Sequence, residues 1–161
     1  MILKEENDRM REAYLACQKH LERMNFAHSK IKNYFPLSSE TYELVSFEEM
    51  SFFDQFIFRF TKLQDSIGNK LIRYILESMA ENTRELSQID IFSKAEQLNI
   101  IPSAEDWLSL RAVRNKLTHE YPSDHKEIIE GLNSLNDNIN MILIVWQHIE
   151  EFIKGKFGYL V

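Results

Sequence analysis

Apolar side chains recur at steps of mostly three and four along three long stretches, and little in the chain interrupts them. From Glu5 to about Lys32 the series is Met10, Tyr14, Cys17, Leu21, Met24 and Ile31. From about Phe47 to Ala80 it is Phe53, Phe56, Phe60, Leu63, Ile67, Leu71 and Ile75. The last runs from Ser123 or Asp124 to about Lys154, through Ile128, Leu132, Leu135, Ile139, Ile142, Val145, Trp146, Ile149 and Ile153. Such a period lines one face of a helix, and each face needs a neighbour to cover it. With only four glycines and three prolines in 161 residues, the chain has few breakers to support a sheet of tight turns.

Helix boundaries follow from local chemistry. "NYFPLSSETYELVS" reads as a connector ending at Ser46, an N-cap with Glu49 three positions on. A short helix spans about Asp90 to Asn99 and halts before Pro102. Ser103 caps the next, with Glu105 and Asp106 in the first turn where the helix dipole favours negative charge, and that helix ends near His119. Gly155 closes the last helix, and Gly68 marks a close approach by a neighbour, since glycine costs about 1 kcal/mol of helix propensity. The expectation is an all-α, antiparallel up-and-down four-helix bundle with one additional short helix, a single domain over residues 1–161.

Charge and composition narrow the function. A net charge of −6 argues against holding nucleic acid with the whole surface, although a local basic patch is compatible with it. Cys17 is the one cysteine, which rules out an intrachain disulfide and suits a reducing compartment. The N-terminus "MILKEENDRMRE" lacks the features of a signal peptide. The run "MILIVW" falls far short of the roughly 20 residues of a membrane span. A cytoplasmic protein without membrane attachment is expected. Cys17 and His20 have C-x-x-H spacing without a partner pair, and no histidine follows a glutamate by three residues, so neither a metal nor a cofactor is expected. Phe52, Phe53, Phe56, Phe58 and Phe60 exceed what one helix face can bury, so some are free to line a dimer or partner surface. Arg59, Lys62, Asp65, Asn69 and Arg73 form the polar side of the same helix, a solvated face that can also supply phosphate contacts.

The stretch "VRNKLTHEYP", Val113 to Pro122, carries the chemistry. At about 100° per residue, Leu110, Val113 and Leu117 centre the buried face, and Trp107, Arg114 and Tyr121 form a row along its edge. Arg114 there offers a forked guanidinium suited to phosphate. His119 lies about 140° around from Arg114, so the two side chains diverge on one regular helix. They can be brought together if Pro122 loosens the last turn, or if two copies of the helix meet across a two-fold axis; the second is preferred. Near the helix C-terminus the dipole raises the pKa of His119 towards neutrality. An arginine on a phosphate and a histidine that moves a proton are the minimum for cleaving RNA through its own 2′-hydroxyl.

Arg114, Asn115, His119 and Tyr121 match the R-x-x-x-x-H-x-Y signature of HEPN-domain proteins, and the chain resembles the HepT-like toxins encoded beside a minimal nucleotidyltransferase antitoxin. With 5 His and 6 Tyr in this chain, about 0.01 chance matches to the three-residue pattern are expected. The resemblance implies a metal-independent endoribonuclease toxin of a type VII-like pair, with Arg114 and His119 as the catalytic pair and Asn115 as the polar residue beside the arginine. It further implies a homodimer with the motif at the cleft between protomers, an RNA substrate, and silencing by the partner enzyme through AMP on Tyr121. The alternative is a non-catalytic HEPN module, the substrate-binding or accessory subunit of a nucleotidyltransferase.

Overall fold

The computed structural model describes residues 2–118 and 125–161, with the backbone alone at positions 2, 3, 114, 116 and 118. Among them the regular elements are all helical: α1 (Ile2–Ile31), a 3₁₀ turn (Lys32–Tyr34), α2 (Ser39–Glu43), α3 (Phe47–Ser66), a π-turn (Ile67–Leu71), α4 (Ile72–Ser78), α5 (Gln88–Gln97), α6 (Ala104–Thr118) and α7 (His125–Phe157). No helix among the described residues is long and apolar enough to cross a membrane.

The caps read from sequence are formed. Ser46 Oγ accepts from the Glu49 amide and Glu49 Oε2 from the Ser46 amide, both at 3.1 Å. Ser103 Oγ accepts from the Asp106 amide at 3.1 Å. Ser87 and Asp90 make a further reciprocal cap, so α5 starts at Gln88 and not at Asp90. The expected connector after α1 contains α2, whose cap uses Thr41 where glutamate or glutamine is usual.

Helix ends depart from expectation for backbone reasons. α5 is stopped by Asn99, left-handed at φ 60, before Pro102 is reached. The Ile100 amide donates to the Ala95 carbonyl at 2.8 Å and the Asn99 amide to that of Glu96 at 2.9 Å, a Schellman closure. Ala80, at φ 63, closes α4 in the same way, and it bears the steric cost that glycine avoids. Gly155 does not close the last helix. It lies inside α7 with nothing within 4 Å of where a Cβ would stand, and the helix continues to Phe157. A Cβ on Gly158 would come 2.6 Å from the Lys154 carbonyl oxygen, which makes Gly158 the glycine of that terminus.

α1 runs antiparallel to α3 and α4, as the pairs His28–Phe56, His20–Arg59 and Arg9–Tyr74 show. It also runs antiparallel to α7, with His28 against Asn136 and Tyr14 stacked on Trp146. The three apolar stripes meet in one core, where Phe53, Phe56, Phe60, Leu63, Ile67, Leu71 and Ile75 are buried together with the inward residues of α7. The π-turn adds a residue to the α3–α4 rod, so that Leu71 and Ile72 and then Ile75 and Leu76 all reach the core.

Two glycines set how α6 sits. A Cβ on Gly68 would be 3.0 Å from Trp107, so the expected crossing is there and the indole occupies it. A Cβ on Gly131 of α7 would overlap the Leu117 side chain. Trp107 is fully buried, so it belongs inside the core face of α6 and not at its edge, whereas Val113 is half-buried. Backbone effects at these positions have opposite signs. Gly155→Ala and Ala80→Gly should each stabilise the protein by about 0.5–1 kcal/mol. Gly131→Val should cost about 1–3 kcal/mol because it overpacks the Leu117 contact. Urea denaturation of the three variants checks these signs, and a stabilised Gly131→Val would contradict the close approach.

Candidate functional site

The motif straddles the C-terminal end of α6. Arg114 and Asn115 are in its last turns, and Asn115 is exposed. By register, position 114 is about 20° from Trp107 and about 40° from Leu110, within the arc those buried residues define. His119, Tyr121 and Pro122 lie outside the described residues, as do the loosened last turn and the raised histidine pKa expected there. Of the four motif residues, the described helix thus carries Arg114 and Asn115 on adjacent positions.

What anchors this end of α6 is well defined. Leu117, one turn beyond Val113, rests on Gly131 of α7. Arg111 places its guanidinium 5.8 Å from the centroid of Phe92, tying the other flank to α5. α7 begins at His125, about a turn and a half before Gly131, so its first turns emerge at the same end of the molecule as the end of α6.

Sequence reasoning passed over two residues at this end. The His125 ring meets Tyr42 of α2 edge-on, with centroids 5.4 Å apart. Burial, and then the Asp54 carboxylate, raise the Tyr42 phenol above its ordinary value, and its hydroxyl lies 3.8 Å from the Met50 sulfur. No spacing rule links Tyr42 to His125, because the connector alone brings them together. The connector is itself held by Asn133: the Leu37 amide donates to Asn133 Oδ1 at 2.7 Å, and Asn133 Nδ2 donates to the Leu37 carbonyl at 3.0 Å.

The remaining sequence candidates resolve differently. Cys17 is fully buried, and burial pushes its thiol up to about 12, which removes it as a thiolate nucleophile or ligand. His20 faces Arg59 across the α1–α3 seam, with Nδ1 and the guanidinium 3.0 Å apart. Tyr14 donates to Glu150 Oε1 at 3.1 Å, and burial with that carboxylate pushes its phenol up to about 12. No group of three or more His, Cys, Asp or Glu side chains that could hold a metal ion occurs among the described residues.

No family model, curated protein or solved structure matches this chain. Local geometry and chemistry therefore carry the functional reading. Asn133→Ala removes both bonds to Leu37 and leaves backbone groups of a buried residue without partners, so it should cost about 1–3 kcal/mol. Leucine at this position would restore bulk but not the bonds and should not recover stability; full recovery by Asn133→Leu in thermal melts would contradict the role of the clamp.

Proposed function

We propose that the chain is a HEPN-like helical bundle acting as a metal-independent endoribonuclease toxin, held in check by a minimal nucleotidyltransferase antitoxin. The observation that carries the reading is the octet from Arg114 to Tyr121 at the junction where α6 ends and α7 begins, with Asn115 exposed beside the arginine. The seating of Leu117 on Gly131 supports it, because it holds the last turns of α6, which carry the first two motif positions, on a packed neighbour.

In this reading the RNA 2′-hydroxyl attacks the adjacent phosphorus. His119 takes the 2′ proton or supplies one to the departing 5′ oxygen. Arg114 holds the phosphoryl oxygens, on which negative charge grows, through a two-pronged contact. Asn115 adds a polar contact at the same edge. A homodimer puts two copies of the octet in one cleft and reconciles the divergence of positions 114 and 119 on a single helix. Tyr121 is the residue on which the nucleotidyltransferase places AMP; the added negative charge and bulk oppose binding of RNA phosphates in that cleft.

Arg114→Ala and His119→Ala should each abolish cleavage of RNA by the purified protein while leaving its helical circular dichroism intact. Arg114→Lys should also be poor, because an ammonium cannot reproduce the fork. Activity should persist in EDTA, and loss on chelation would replace this reading with a metal mechanism. Undiminished cleavage by His119→Ala would remove the proposed proton carrier.

Tyr121→Phe keeps the ring but lacks the acceptor oxygen, so it should retain toxicity and escape silencing when the partner enzyme is co-produced. Mass spectrometry of the co-produced protein checks the position. An AMP adduct on another residue, or a silenced Tyr121→Phe variant, would refute the assignment.

A further inference from the structure

In a chain of net charge −6, one seam collects cations. Lys19, Arg23, Phe26 and Lys30 are exposed on α1 at steps of four, three and four, which is a single helix face. Beside them on α3 stand Arg59, Lys62 and the half-exposed Phe58. His20 bridges the two helices through its 3.0 Å contact with Arg59.

The rings on this seam are paired with cations. The Arg59 guanidinium is 5.1 Å and the Lys62 ammonium 5.6 Å from the centroid of Phe58. Lys30 is 5.3 Å from that of Phe26, which meets Phe52 edge-on at 6.1 Å. Phe26 and Phe58 remain 52% and 50% exposed, so neither ring is absorbed into the core. Glu22 is a carboxylate on the same stretch of α1, lining a groove with Lys19 and His20.

The charges on this seam work against one another. Burial, followed by Arg59, Lys62, Arg23 and Lys19, holds His20 below the usual histidine range. Burial and then Arg23 lower the Arg59 guanidinium as well. Like charges gathered this closely destabilise the free protein, and an anion between them would relieve the repulsion.

We propose that the α1–α3 seam is a track for single-stranded RNA, with Lys19, Arg23, Arg59 and Lys62 on successive phosphates and Phe26 and Phe58 as platforms for bases. From Lys19 to Lys30 the face is about 16 Å long, room for a short run of nucleotides. A carboxylate-rich protein would also meet the cations, but half-exposed rings set among those cations suit the bases and phosphates of a single strand together. The proposal rests on the nuclease reading for the identity of the polymer and assigns it a binding surface away from the motif.

The test uses full-length protein carrying His119→Ala, so that the RNA stays intact, and a fluorescein-labelled single-stranded RNA followed by anisotropy across a potassium chloride series. Lys19→Gln, Arg23→Gln and Lys62→Gln combined should reduce the slope of log affinity against log salt by about 2, at roughly 0.7 for each phosphate left without its cation. Phe58→Leu should weaken binding about tenfold with the slope unchanged, as expected when one base no longer stacks. These side chains are exposed, so both variants should fold, the triple variant melting at or above the parent temperature because its like-charge repulsion is reduced. Unaltered affinity and slope in both variants would overturn the track and leave an acidic protein as the occupant. Binding through the seam without any cleavage by the parent chain would support the track and overturn the nuclease. Cleavage and binding that both ignore the seam variants would do the reverse.

Discussion

The position of α6 depends on two places where another helix gives up a side chain to let it in. At Gly68 the π-turn presents bare backbone to the Trp107 indole, and at Gly131 α7 does the same for Leu117. These contacts fix both ends of the helix that carries the motif, the first against the α3–α4 rod and the second against α7. Glycine inside a helix costs about 1 kcal/mol, so the close packing must contribute more than that. Those two contacts set the rotation of α6, with Trp107 and Leu117 turned inward.

Polar side chains then lock the remaining elements around that arrangement. Asn133 grips the connector before α2, His28 reaches Asn136, and Tyr14 reaches Glu150 while stacking on Trp146. Each joins α7 to a segment far away in sequence, so α7 is held along its length. The outer α1–α3 seam contrasts with this. Its cations crowd one another, and its two rings stay half in water. Crowded like charges and half-exposed rings both cost stability, unlike the closely packed core.

Much of this was legible in the sequence, and what was missed has identifiable causes. The apolar stripes and the Ser46 and Ser103 caps are local patterns with a fixed period or spacing, and the helices follow them. The Gly68 crossing was readable because an unfavourable residue on a strong stripe demands a compensating neighbour. Gly131 and Gly155 look equivalent in sequence, yet one seats Leu117 and the other faces open space; only the partner helix distinguishes them. Asn99 stopped a helix that Pro102 was expected to stop, because a left-handed asparagine acts before the proline is reached. At the candidate site the octet was legible as a motif, whereas the Tyr42–His125 contact was not, since it arises from the connector folding back onto α7.

The central claim is that this end of α6 cuts RNA with the substrate's own 2′-hydroxyl as nucleophile. That chemistry leaves a signature on the products. Purified protein should be incubated with a defined single-stranded RNA in EDTA, and the fragment ends identified by mass spectrometry. The account predicts a 2′,3′-cyclic phosphate on the upstream fragment and a free 5′-hydroxyl on the downstream one. Fragments ending in 3′-hydroxyl and 5′-phosphate, or RNA that stays intact, would contradict it.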